Sequence, residues 1–246
     1  INIRLEFIFM ALPKIGYPTY ELELPSTGKS VKYRPFLVKE EKVLLLALEA
    51  EDEKQVIGAV KDLLKNCVIS RIKVETLPSF DLEYLFLKIR AASIGEMINL
   101  TVTCLDDNET QTEAQININE VEVFKPAGHD KKIMFDDKTG IVMKYPSMKQ
   151  FVEREFLQKD IKTEEVYDFI ADSIDQIFDD EEVYDSSTTT KKEFRTFVDS
   201  LTTKQFEKIQ EFYTTCPKLS HTFKVKNPKT GKESEYTVEG LQSFFA

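Results

Sequence analysis

The stretch Leu77–Glu96, LPSFDLEYLFLKIRAASIGE, constrains the fold more than any other part of the chain. Ser79, after Pro78, is a good helix N-cap, and Asp81 places negative charge in the first turn, where unpaired backbone N–H groups favour it. Leu82, Leu85, Phe86 and Ile89 then recur at helical spacing, and Tyr84 and Leu87 widen the apolar face. A helix this apolar must be covered on more than one side. It therefore belongs at the centre of its domain.

The 246 residues have room for one large domain or two small ones, and 41% hydrophobic content is enough to pack a core around such a helix. Asp and Glu outnumber Lys and Arg by 43 to 33, a net charge of −10. A nucleic-acid binder needs a basic face to displace counterions from phosphates, so this balance argues against one. It argues equally against docking on an anionic membrane. Cys67, Cys104 and Cys216 are too few and too scattered for a disulfide framework and read as reduced thiols. No segment approaches the roughly 20 apolar residues that span a bilayer. Residues 1–9, INIRLEFIF, are too short for a signal peptide and lack a small-residue cleavage site. They read as vector-derived or upstream residues ahead of a natural start at Met10.

Along the chain, Tyr20–Leu24 and Lys29–Val38 read as extended segments around a Pro25–Gly28 turn. The apolar run Val43–Leu48, VLLLAL, reads as a buried helix after Glu40 and Glu41. In the next helix Val56, Ile57, Val60, Leu63, Leu64 and Cys67 share one face, which makes Cys67 a core residue rather than a reactive thiol. Ile98, Leu100 and Val102, then Ala114, Ile116 and Ile118, form a hairpin across a polar turn. Lys125–Lys132, with Pro126 and Gly128, is the best domain boundary. It divides an N-terminal helix/hairpin lobe, 10–125, from a C-terminal helical lobe, 126–246, that ends in a hairpin.

Beyond the boundary, short strands at Ile133–Phe135 and Ile141–Tyr145 flank Asp136–Gly140, and from Ser147 the pattern is mostly helical. Thr190–Glu193 and Thr202–Gln205 fit the capping box, in which hydroxyl and carboxyl or amide satisfy each other's orphan backbone donors. They start helices that turn Phe194, Phe197, Val198 and Leu201, then Phe206, Ile209 and Tyr213, inward. The expected class is α+β but mostly helical. It carries two helix-plus-β-hairpin units, residues 80–124 and the chain's end, as a degenerate internal repeat, with short extra strands.

Chemistry is hard to find. Gly28-Lys29-Ser30 lacks the earlier glycine of a phosphate-binding loop, since position 23 is Glu, and no helix follows it. Asp106–Glu109 and Asp136–Gly140 lack the ligand spacing of a calcium loop and read as turns. The two histidines, His129 and His221, stand outside any nucleophile or metal motif. Neither hairpin turn carries the cysteine pair of a zinc knuckle. No catalytic residue, cofactor or metal ligand is assigned.

One surface feature remains. On a helix read from Thr163 to Phe178, Val166, Phe169, Ile170, Ile174 and Ile177 form the buried stripe. Asp168, Asp172, Asp175 and Asp179 then form an acidic stripe, a candidate dock for a basic partner segment beside the ordinary reading as a solvated face. A metal-dependent hydrolase built on these four is a remote alternative. Spread along a helix they span roughly 16 Å, too far to meet one ion.

The wording of four blocks adds what periodicity does not. Met10–Glu49, MALPKIGYPTYELELPSTGKSVKYRPFLVKEEKVLLLALE, then LPSFDLEYLFLKIRAASIGE, then Gly140–Ser147, GIVMKYPS, and the GLQSFF end at Gly240–Phe245 resemble the baseplate hub assembly proteins of T-even-type tailed bacteriophages. The resemblance covers nearly all of Met10 to Ala246 and transfers no catalytic residue. It implies a non-enzymatic assembly factor or chaperone for the central hub, acting by protein–protein binding in the host cytoplasm. A structural hub subunit retained in the virion is the alternative. The implied partners are other hub or tape-measure proteins, with no nucleic acid and no membrane span. Oligomeric state stays open.

Overall fold

The computed structural model describes residues 15–50, 52–147 and 163–240. A hairpin, β1 (Tyr20–Glu23) and β2 (Ser30–Tyr33), leads to helices α1 (Val38–Glu49), α2 (Glu53–Cys67) and α3 (Ser79–Ile94). Then come hairpin β3 (Met97–Thr103) and β4 (Gln111–Asn117), and the short strands β5 (Glu122–Phe124), β6 (Lys132–Met134) and β7 (Gly140–Met143). The last part runs α4 (Thr163–Asp172), β8 (Ile174–Phe178), β9 (Val183–Asp185), α5 (Lys191–Ser200), α6 (Thr203–Thr214), β10 (Lys218–Lys226) and β11 (Glu233–Glu239). Four small sheets result, β1-β2, β3-β4, β11-β10-β5 and β6-β7-β8-β9, all with antiparallel pairs.

The fold is α+β, but the expectation of a mostly helical chain is corrected. Helix takes 38% and strand 29%. Part of the difference comes from Ile174–Phe178, read from its spacing as helix and found as β8. Ile174 and Ile177 are three apart, a helical interval that a regular strand would put on opposite faces. The pairing of β8 with β7 slips between Val142 and Met143, so Ile177 opposes Ile141 while Ile174 opposes Met143. Both isoleucines therefore reach the same core. The helix stops at Ser173, whose hydroxyl donates to the Phe169 carbonyl at 2.8 Å and whose carbonyl accepts the Lys144 amide at 2.7 Å.

α3 is central, as its apolar girth demands: Phe80, Leu82, Leu85, Phe86, Leu87 and Ile89 are all buried. Around it Val60, Leu63, Leu64 and Cys67 of α2, Ile98 and Leu100 of β3, and Leu219 of β10 form a first core. The chain leaves it for a second core of Ile141, Met143, Ile170, Ile174, Phe194, Val198, Ile209 and Phe212, and returns through Leu219. Both capping boxes are present, with Thr190 against Glu193 and Thr202 against Gln205.

Asp81 does more than place negative charge in the first turn of α3. It is fully buried and accepts the Ser26 amide at 2.9 Å and the Ser26 hydroxyl, fastening the β1–β2 turn to α3. Burial pushes its carboxyl up, with the Ser26 bonds pulling the other way.

Candidate interaction surface

The elements that looked chemical in the sequence are satisfied internally. The two hairpin turns dock on each other: Asn227 Nδ2 donates to Asp106 Oδ1 at 2.8 Å and Thr230 Oγ1 to Asp106 Oδ2 at 2.5 Å. Tyr236 joins them, its hydroxyl donating to the Thr103 carbonyl at 3.0 Å and accepting the Leu105 amide at 2.8 Å. Asp107 is held well below the usual carboxylate range by the Thr110 hydroxyl and amide. Cys67 is buried, and that pushes its thiol up to about 11, which suits a core side chain. Among the described residues no three His, Cys, Asp or Glu side chains group to hold a metal ion.

The four aspartates do not share a helix face. Asp168 and Asp172 lie on α4, Asp175 on β8, and Asp179 in the turn before β9. Asp168 accepts Arg195 Nη1 at 2.6 Å, and the same guanidinium reaches Glu164 and Asp199 and covers the Tyr167 ring. Desolvation opposes its charge, yet the Asp199, Asp168 and Glu164 carboxylates keep the guanidinium protonated more firmly than an ordinary arginine. Asp172 pairs with Lys191 at 2.7 Å and Asp175 with Lys144 at 3.6 Å. Asp179 folds its own turn by accepting the amides of Glu182 and Glu181, which lowers its pKa. A cleft of about 440 Å³ beside them is lined by Lys144, Asp172, Ser187, Thr189, Lys191 and Phe194. Its lysines are the ones already paired, and Glu193 already caps the adjoining helix end.

The unexplained surface is α1. Its inward face is fixed by a buried ion pair, Arg34 Nη2 to Glu40 Oε1 at 3.1 Å. Glu40 Oε2 also takes the Leu37 amide at 2.8 Å, closing the helix start. The chain just before α1 hangs on α3, since the Phe36 amide donates to Ser93 Oγ at 2.9 Å. Leu44 and Ala47 complete the buried side. Expected to be buried throughout, the VLLLAL run instead turns half its apolar residues outward. Val38 is 79% exposed, Leu46 54%, Leu45 52% and Val43 51%.

One helix thus carries aliphatic residues on both faces, and among the described residues only one face is covered. Lys39, Lys42 and Glu49 sit among the outward aliphatics, all exposed. Sequence carried a signal that the reading as a buried helix passed over. Lys42 and Glu49 lie on the same side of the helix as Leu45, which a fully buried helix would not tolerate unpaired.

The family model described as T4 bacteriophage base plate protein matches residues 17–246. That span holds α1, the central α3 block and the Gly140–Ser147 strand; the GLQSFF end beyond Gly240 and residues 1–14 lie outside the described residues. Comparison with curated proteins and with solved structures gives no match. The chain belongs to the family of T4 bacteriophage base plate proteins.

Proposed function

We propose that this baseplate protein is a non-enzymatic assembly factor for the central hub of the tail baseplate, working in the host cytoplasm by protein–protein contact. The outward aliphatic face of α1 carries the reading. Exposed aliphatic residues grouped on a rigid helix raise the free energy in water and lower it when covered, so such a face marks a binding surface. Its rigidity comes from the Arg34–Glu40 pair and the Ser93 contact, which hold the helix ready without ordering cost at binding. The hub or tape-measure component it covers would be kept from associating wrongly until assembly.

Asp168, Asp172, Asp175 and Asp179 have a secondary part in this reading. Charges at a rim act on association rate and its salt dependence more than on affinity. Because Arg195, Lys191 and Lys144 already offset three of them, the expected effect is small.

Pull-down of the tagged protein from infected cells tests the function. Tail proteins should be recovered with the wild-type chain and lost with Leu45→Glu/Leu46→Glu. Recovery of no tail protein, with normal baseplates formed in the absence of the chain, sinks the reading. A subunit retained in the virion is the other outcome. Mass spectrometry of purified tails separates the two, near-stoichiometric abundance marking a subunit and near absence an assembly factor.

A further inference from the structure

The outward face of α1 carries opposite charges in a two-fold register, and we infer that in the free protein, before any hub component is engaged, its occupant is a second copy of this chain, packed antiparallel through α1 across a two-fold axis. This rests on the reading of α1 as a protein-binding face and names what covers it. Leu45 and Leu46 are adjacent and both half exposed. Lys42 and Glu49 stand at equal distances in sequence on either side of the Leu45–Leu46 bond, one cationic and one anionic. Neither has an ion-pair partner among the described residues.

Antiparallel pairing centred on that bond sets Leu45 of each copy against Leu46 of the other. Lys42 of each then meets Glu49 of the other, so both charge pairs form at once. The four side chains share one side of the helix: at 100° per residue Lys42, Leu45, Leu46 and Glu49 fall within roughly 100° of arc. Such a contact is isologous, so it closes at two copies and leads to no filament. The helix is about 18 Å long at 1.5 Å per residue, which makes a small interface and therefore a reversible dimer. A foreign helix would find the same aliphatics, but only a chain with acid and base in this register cancels both charges.

Sedimentation velocity over a range of concentrations tests the dimer, with the charges supplying the specific readout. Wild-type protein should shift from monomer to dimer as concentration rises. Lys42→Glu or Glu49→Lys alone should weaken dimerisation by about tenfold, since symmetry converts two exposed pairs from attraction to repulsion. The double variant Lys42→Glu/Glu49→Lys restores the pairs in reverse and should return dimerisation to the wild-type range. These positions are exposed, so circular dichroism should show an unchanged fold. A chain that stays monomeric at every concentration overturns the inference, as does a double variant no better than the singles. If the protein is monomeric and Leu45→Glu/Leu46→Glu abolishes recovery of tail proteins, the dimer is refuted while the assembly-factor reading stands. Dimerisation rescued by the charge swap supports the inference even when tail proteins are recovered independently of α1.

Discussion

Two buried ionisable residues show how single side chains set local order. Glu40 holds Arg34 and the Leu37 amide together beneath α1, out of water. Replacing it by Ala leaves a buried guanidinium unpaired, and the expected loss is about 3–5 kcal/mol by urea unfolding. His129 works the other way. It stacks against both Tyr145 at 5.6 Å and Phe212 at 5.1 Å, its Nδ1 is 2.9 Å from Thr215 Oγ1, and its buried Nε2 has no hydrogen-bond partner among the described residues. Burial, aided by Lys125 and against Asp130, lowers its pKa from the ordinary 6.5. Below pH 6.5 the unfolded chain takes up a proton that the folded chain still refuses. Stability is therefore complete above pH 6.5 and falls as pH drops toward the lowered value. His129→Phe keeps the ring stack and removes the titration. Thermal melts of this variant should show a smaller loss between pH 7 and pH 5 than wild type, and equal slopes would reject the assignment.

Among the elements, β7 is tightly confined at Gly140. A Cβ on Gly140 would lie 2.6 Å from the Ile133 carbonyl and 2.6 Å from the Phe178 ring, so both neighbours of the strand crowd that position. Ring rotation relieves one contact; the backbone carbonyl of β6 has nowhere to go. Gly140→Ala is expected to cost about 1–3 kcal/mol as overpacking, seen as a lower denaturant midpoint with unchanged m-value. The glycine opens the GIVMKYPS block, so that wording has a packing cause. α5 and α6 were legible for a different reason. Their capping boxes are local contacts over three residues, and nothing distant had to be known to read them.

At the scale of the whole molecule the last hairpin and the first core are one structure. β10 pairs with β5 from Ser220 to Lys218, and Leu219 between them is fully buried against the α3 core. Leu219→Ala should cost about 2–5 kcal/mol and lower the melting of the α3 core, measured by calorimetry, although it lies far away in sequence. No change in that transition would mean the hairpin is only appended. The two cores also meet where Phe80, at the start of α3, stands edge-on to Tyr145, and where the Ser79 amide donates to the Pro146 carbonyl at 3.1 Å. Sequence alone determined what depends on near neighbours: the central helix at Ser79–Ile94, the capped helices α5 and α6, the hairpin turns, the acidic balance and the family wording. It did not determine β8, because the strand's inward isoleucines fall at a helical interval and only the slipped pairing with β7 makes them strand-like. Nor did it determine the fate of the aspartates, which depended on where Arg195, Lys191 and Lys144 arrived from other elements. The outward half of α1 followed the same rule. A run of aliphatic residues says that surface wants covering, and only the packed structure decides which side its own chain covers and which it leaves for another.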